Sequence, residues 1–179
     1  VYELGDITGD SLELGKKAMA STSKYIVFCG VGFMGQSVKL LSPDTRVFMP
    51  RIACCSMARM IDTSYYTNSI RAMNARGIAN ENILPVTYIN SSAEVKAEVG
   101  KMGGLVCTSS NAKVIIEEAL KAGKKIFFLP DRCLGQNIAI DMGLKSAVIG
   151  LDEKLEEADI ICFDGFCSVH QLFMPKDID

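Results

Sequence analysis

The chain reads as an α/β protein made of repeated three-layer αβα domains with short parallel sheets. Three observations predict this. Short, continuous apolar runs such as Tyr25-Ile26-Val27-Phe28-Cys29 and Ile126-Phe127-Phe128-Leu129 alternate with segments of helical periodicity. Strands covered on both faces give such runs, and strand–helix alternation gives parallel pairing. Residues 7–38 also align without a gap on residues 107–138, and the elements follow in the same order in both. Finally, 179 residues with 49% hydrophobic and 22% charged side chains are enough for a sizeable core, since a chain of this size buries roughly two-thirds of its unfolded surface.

In order, residues 1–7 read as the tail of a truncated element. Asp10 or Ser11 caps a helix with Glu13 close behind and Leu12, Gly15 and Met19 inward. Residues 24–29 form a fully buried strand, residues 30–35 a glycine-rich turn and residues 37–41 a helix, stopped by Ser42-Pro43-Asp44. Residues 46–49 form the next strand. A helix over 64–76 ends at Gly77, and Asn80-Glu81-Asn82 is the expected linker. A strand over 84–89 is followed by Ser91-Ser92-Ala93-Glu94, which starts a helix running to Gly100. Further strands are expected over 105–107, 125–129, 146–149 and 160–163. Helices are expected over 112–122, with Val114, Ile115 and Ala119 inward, and over 133–142. The domains are therefore residues 1–78 and 79–179, with the first repeat lacking an initial strand and helix.

Within the repeat, Thr8 falls on Thr108, Lys24 on Lys124, Ile26 on Ile126, Phe28 on Phe128, Gly35 on Gly135 and Gln36 on Gln136. Beyond it, Val47-Phe48-Met49 matches Ala147-Val148-Ile149, and after an insertion Cys55-Ser56 matches Cys167-Ser168.

Seven cysteines, an odd number, with no signal peptide visible, argue against a disulfide framework, and the C-x-x-C spacing of zinc or thioredoxin sites is absent. Cys29, Cys107 and Cys162 lie in apolar strands and read as small buried hydrophobes. Cys54, Cys55, Cys133 and Cys167 lie in turns. Pro50-Arg51-Ile52-Ala53-Cys54-Cys55-Ser56 and Asp164-Gly165-Phe166-Cys167-Ser168 each deliver a Cys-Ser step after a strand. They are read as aiming two thiolates at one shared iron–sulfur site. A non-catalytic thiol redox switch among the turn cysteines is the alternative. Gly30-Val31-Gly32-Phe33-Met34-Gly35 matches the dinucleotide fingerprint, but Met49-Pro50-Arg51 stands where its acidic residue belongs, and the second copy keeps only Gly135. Gly35 and Gly135 are therefore read as helix–strand packing points, with a dinucleotide-binding module as a further alternative.

Net charge is −2 with no long basic run, which argues against extended nucleic-acid contact, and no apolar run reaches roughly 18 residues. A soluble, cytoplasmic protein without membrane partners is expected.

Several stretches resemble the quinolinate synthase family, the [4Fe–4S] enzymes of NAD biosynthesis. They are Gly9-Asp10-Ser11-Leu12-Glu13, Gly32-Phe33-Met34-Gly35-Gln36-Ser37-Val38-Lys39, Leu41-Ser42-Pro43, Cys55-Ser56-Met57-Ala58, Thr87-Tyr88-Ile89-Asn90-Ser91-Ser92, Cys107-Thr108-Ser109-Ser110-Asn111-Ala112, Pro130-Asp131-Arg132-Cys133-Leu134-Gly135 and Gly165-Phe166-Cys167-Ser168-Val169-His170. The resemblance implies three similar α/β domains about a pseudo-threefold axis, of which this chain holds most of the first and the second. It implies condensation of iminoaspartate, supplied by L-aspartate oxidase, with dihydroxyacetone phosphate to quinolinate. In that scheme a [4Fe–4S] cluster acts as a Lewis acid.

Cys55 and Cys167 match two of the family's three cluster ligands, with Cys54 as a possible stand-in for Cys55. Ser11 and Ser109 match contacts to a substrate carboxylate or phosphate at helix starts, where a plain N-cap is the alternative. Tyr88 and Asn90 match the strand-end pair that touches substrate, with Tyr88 as an acid–base group. His170, the one histidine, matches a substrate contact and is expected to be catalytic. The family's N-terminal His/Tyr motif and its third domain, with the third cysteine, have no counterpart in this chain, so these residues alone are expected to be inactive. Gly100-Lys101-Met102-Gly103 is expected to be an insertion.

Overall fold

The computed structural model describes residues 3–177, which fall into two compact units divided between Cys55 and Ser56. Of the expected N-terminal tail, Val1 and Tyr2 lie outside the described residues, as do Ile178 and Asp179 at the other end.

The first unit holds α1 (Ser11–Ala20), β1 (Tyr25–Val27), α2 (Gly32–Leu41) and β2 (Arg46–Phe48). Asp10 is the cap of α1. Its carboxylate accepts the Leu12 and Glu13 N–H groups at 3.0 and 2.8 Å, donors that the first turn of a helix cannot satisfy internally. β1 and β2 pair in parallel, Ile26 opposite Val47. One face of this sheet carries Ile26, Phe28, Val47 and Met49 against Leu14, Ala18, Met34 and Val38 of α1 and α2. The other face leaves Tyr25, Val27 and Phe48 half or more exposed, so β1 is not the fully buried strand expected. Side chains alternate along a strand, and both helices of this unit pack on the same side. Cys29 is accordingly exposed rather than buried. Met19 also points outward, and Ala18 takes the inner position. α2 starts at Gly32 instead of Ser37, so most of the glycine-rich segment is helix.

The second unit holds α3 (Thr63–Asn74), β3 (Ile83–Tyr88), α4 (Ala93–Lys101), β4 (Leu105–Cys107), α5 (Ala112–Leu120), β5 (Lys125–Leu129), α6 (Arg132–Met142), β6 (Ser146–Val148) and β7 (Ile160–Cys162). Its sheet runs β4-β3-β5-β7-β6, every pair parallel. Here the three-layer arrangement is complete. Phe127 and Leu129 of β5 and Ile161 of β7 face Tyr66, Ile70 and Met73 of α3 and Val95 and Val99 of α4. Ile126 and Phe128, with Val86 and Cys162, face Ala112, Ile116 and Ala119 of α5 and Ile138 and Ala139 of α6. Phe127 and Phe128 point to opposite faces and both are fully buried, each worth about 1.5–3 kcal/mol of transfer free energy. On α5, Val114 is exposed, and Ala112 and Ile116 are buried with the expected Ala119, a partial shift from the expected inner face. The segment expected as an insertion forms the end of α4 and its turn, with Gly103 at φ +72°.

The expected linker, Asn80–Asn82, is a 3-10 turn leading straight into β3. The compact units divide earlier, between residues 55 and 56. α3 precedes the expected repeat boundary at 78/79 but packs on the core of the second unit through Tyr66, Ile70 and Met73.

The two units share one strand–turn–helix geometry. Ile26 pairs with Val47 in the first, and Ile126 pairs with Ile160 in the second. The residue before each helix then forms an isolated parallel bridge to the cysteine turn, Val31 to Ala53 and Asp131 to Gly165. The next N–H donates to the same turn, Gly32 to the Ala53 carbonyl at 2.9 Å and Arg132 to the Gly165 carbonyl at 2.8 Å. β2 therefore corresponds to β7, not to β6 as the aligned sequences suggested. Residues 143–159, with β6, are added in the second unit.

Candidate functional site

In open parallel sheets, ligands bind at the carboxyl ends of strands, where the strand order changes direction. In the second unit that point lies between β3 and β5. Tyr88 ends β3, and Ile89 to Ser92 form the turn that follows it. Pro130 and Asp131 follow β5, Thr108 and Ser109 follow β4, and Cys167 lies past β7. Four of the expected site residues, Tyr88, Asn90, Ser109 and Cys167, thus belong to one edge of one sheet. A cavity of about 490 Å³ opens at the opposite edge, lined by residues such as Asn82, Lys124, Lys125 and Asp159. None of the expected site residues lines it, and strand topology is the better guide.

The turn after β3 is held by its own polar groups. Ser91 donates its hydroxyl to the Tyr88 carbonyl at 3.0 Å and receives Thr87's hydroxyl at 3.0 Å. The Ile89 N–H donates to the Cys107 carbonyl at 2.8 Å. Tyr88 and Asn90 are half-buried. Ser92 caps α4 through the Val95 N–H. After β4, the Asn111 side chain accepts from the Thr108 N–H at 2.6 Å and from its hydroxyl at 3.1 Å. Ser109 lies exposed on this turn, ahead of α5, and is not its N-cap; that position belongs to Asn111.

Ser11 is the first residue of α1, as expected, but the cap is Asp10. The Asp10 carboxylate takes the N–H groups that an anion would use at this helix start, which leaves Ser11 its hydroxyl as a contact. The same holds at α6, where Asp131 accepts from the Cys133 and Leu134 N–H groups.

Cys167 and Cys55 are both half-buried and each lies two residues past its bridged residue, Gly165 and Ala53. Cys54 is exposed. Cys107 and Cys162 are fully buried, and burial pushes both thiols up to about 12, consistent with their reading as packing residues. Half-buried thiols in strand-end turns suit a thiophilic metal. A cubane cluster takes three or four thiolates, and the described residues contain no group of three or more His, Cys, Asp or Glu that could hold a metal. By its chemistry and setting, each of Cys55 and Cys167 suits one place in such a donor set. His170 opens an exposed 3-10 turn, His170–Leu172, whose Gln171 side chain reaches the Cys133 sulfur at 3.8 Å. One backbone donor of the glycine-rich segment, the Gly32 N–H, is already spent on the Ala53 carbonyl, which weakens the dinucleotide reading.

The sequence reading missed Arg132 and Lys96. The Arg132 guanidinium pairs with Asp164 and lies over the Phe166 ring, 5.4 Å from its centroid. Lys96 donates to the Ile89 and Ser91 carbonyls at 2.9 and 2.5 Å, and burial lowers its pKa to about 8. No spacing signal marks either residue, because Arg132 finds its partner across the fold and Lys96 acts on main-chain carbonyls whose direction depends on the turn after β3.

The whole chain, residues 1–179, matches the family described as Quinolinate synthetase A protein. It is 55% identical over 181 residues to the quinolinate synthase of Helicobacter pylori (strain HPAG1), covering 100% of this chain and 53% of that protein. It is 42% identical over 197 residues to the quinolinate synthase of Acidobacterium capsulatum, covering 100% and 52%. To that of Halobacterium salinarum (strain ATCC 29341) it is 37% identical over 189 residues, covering 99% and 50%. The chain thus spans about half the length of the curated relatives it matches. Among the described residues, no helix is long and apolar enough to cross a membrane.

Proposed function

Because the chain belongs to the quinolinate synthetase A family, we propose that the full-length protein is a cytoplasmic quinolinate synthase. It would condense iminoaspartate with dihydroxyacetone phosphate, releasing phosphate and two waters, in de novo NAD biosynthesis. Iminoaspartate, an unstable imine, would come from L-aspartate oxidase. The observation that carries the reading is the gathering of Tyr88, Asn90, Ser109 and Cys167 at the carboxyl edge of one parallel sheet, in a chain that matches the family from end to end.

Cys55 and Cys167 would be two of the thiolate ligands of a [4Fe–4S] cluster, with a further ligand outside this chain. When bound, such a cluster with one open iron supplies Lewis acidity toward a substrate oxygen or nitrogen. This chain's residues do the rest. The Ser11 and Ser109 hydroxyls donate to carboxylate or phosphate oxygens. Asn90 orients substrate beside β3, and the Tyr88 phenol, at the strand end, exchanges a proton with it. His170 adds a donor for an anionic group.

The test is anaerobic purification of the full-length protein with assay of iron, sulfide and quinolinate formation. About four irons per chain, lost together with activity in Cys55→Ala and Cys167→Ala, is the expected result. A protein that binds no iron after reconstitution and forms no quinolinate overturns the reading.

A further inference from the structure

Lysine is seldom buried, because removing an ammonium from water is costly unless hydrogen bonds replace its hydration. Lys96 is half-buried, and its ammonium donates to two main-chain carbonyls, those of Ile89 and Ser91, at 2.9 and 2.5 Å. These two carbonyls flank Asn90. The Tyr88 carbonyl is held separately by the Ser91 hydroxyl, and the Ser91 N–H donates back to the Ile89 carbonyl at 2.8 Å. Lys96 is itself on a fixed base, since Val95 and Val99 of α4 are buried in the core at 0% and 1% exposure. A side chain anchored on a rigid helix thus grips the backbone on both sides of one residue at the sheet's switch point.

From this geometry we propose that Lys96 is a positioning residue: it fixes the Ile89–Ser91 backbone so that the Tyr88 and Asn90 side chains meet substrate in one orientation. The proposal rests on the quinolinate synthase reading for what Tyr88 and Asn90 touch, but not for the grip itself. Lys96 touches no substrate in it. The cost of losing the grip falls on the turn rather than on the core, because both carbonyls lie beyond the strand end.

The experiment uses the full-length protein with Lys96→Gln, which keeps one donor group, Lys96→Met, which keeps none, and Lys96→Arg, which keeps the charge and several donors. Two readouts are taken. Amide hydrogen exchange should accelerate by roughly tenfold at Ile89 and Ser91 in Lys96→Gln and more in Lys96→Met, with β5 unchanged. Binding of quinolinate, measured by calorimetry, and kcat should each fall by about ten- to a hundredfold, and Lys96→Arg should recover most of both. Unchanged exchange at residues 89–91 in a folded Lys96→Gln protein overturns the proposal, whatever the activity. So does faster exchange with wild-type quinolinate affinity and kcat. If the wild-type protein itself neither binds nor makes quinolinate, the functional reading fails, and the exchange data alone decide whether Lys96 holds the turn. If Lys96→Met does not fold, Lys96→Gln carries the comparison.

Discussion

The Ser56 hydroxyl lies 2.9 Å from the Ser168 hydroxyl, across 112 positions of sequence. Ser56 follows Cys55 in the chain and Ser168 follows Cys167, so the hydrogen bond joins the residues after the two candidate ligands. It is exposed, which limits its worth to about 0.5–1.5 kcal/mol. A double-mutant cycle on Ser56→Ala and Ser168→Ala, read by denaturant unfolding, should give a coupling energy in that range. A coupling near zero would mean that the two hydroxyls contribute nothing to each other.

The buried thiols make a chemical prediction. Cys107 and Cys162 are buried and their thiols sit near 12, so at pH of about 8 they are protonated and sheltered. Iodoacetamide at that pH should label the exposed Cys29 and Cys54 first and leave Cys107 and Cys162 unmodified until the protein unfolds. Mass spectrometry of timed samples reads the order. The sign for stability follows. A thiol raised from 9 to about 12 keeps its proton in the folded state after the unfolded chain has lost it. Each therefore removes up to about 1 kcal/mol of stability per pH unit as pH rises from about 9 to 12. Lys96 acts oppositely in an overlapping window. Its pKa is lowered from 10.5 to about 8, so its burial penalty is full below pH 8 and fades as pH rises toward 10.5. Between pH of about 8 and 9, before the thiols titrate, wild-type stability should rise with pH, and Lys96→Met should flatten that rise.

The second unit was the more legible in the sequence. The run Ile126-Phe127-Phe128-Leu129 predicts a strand covered on both faces, and β5 lies at the centre of a five-stranded sheet between two helical layers. A similar apolar run, Tyr25 to Cys29, misleads because β1 has helices on one side only, and apolar content by itself says nothing about how many layers the chain supplies. The family motifs point to Tyr88, Asn90, Ser109 and Cys167 as candidates, and the fold places these four at one sheet edge. The Asp10 cap removes a pair of anion donors that the helix start had suggested for Ser11. The match of Val47-Phe48-Met49 to Ala147-Val148-Ile149 fails because strands of the same composition are interchangeable in an alignment; only pairing tells β6 from β7.

Arg132 makes contact with three consecutive residues ahead of Cys167. Its N–H donates to Gly165, its guanidinium pairs with Asp164, and its plane lies over Phe166. Arg132→Ala removes the last two contacts and keeps the first. Because the ion pair is partly exposed, stability should change by no more than about 1 kcal/mol. The turn should nonetheless loosen, and the alkylation rate of Cys167 in the metal-free protein should rise severalfold, with Cys54 as the internal control. Arg132→Lys, which keeps a charge but loses the planar fork, should fall between. An unchanged Cys167 rate in Arg132→Ala would show that the backbone bridge alone holds the turn.

Gly35 and Gly135 occupy equivalent places in the repeat, yet alanine should act differently at each. Both lie inside helices, where alanine is favoured over glycine by about 1 kcal/mol. A Cβ on Gly135 would come within 2.8 Å of the Cys162 sulfur and 2.8 Å of the Phe128 ring, two fully buried groups with no room to retreat. Overpacking of that kind costs roughly 1–3 kcal/mol, more than the helix gains. A Cβ on Gly35 would instead meet the sulfur and terminal methyl of Met49, a flexible, half-buried side chain that can change rotamer cheaply. Gly135→Ala should therefore destabilise the protein by about 1–2 kcal/mol, while Gly35→Ala should be near neutral or slightly stabilising. Chemical denaturation of both variants checks the order. An equal loss at the two positions would mean that Met49 is held as firmly as Phe128, and that the first unit is packed more tightly than its small core implies.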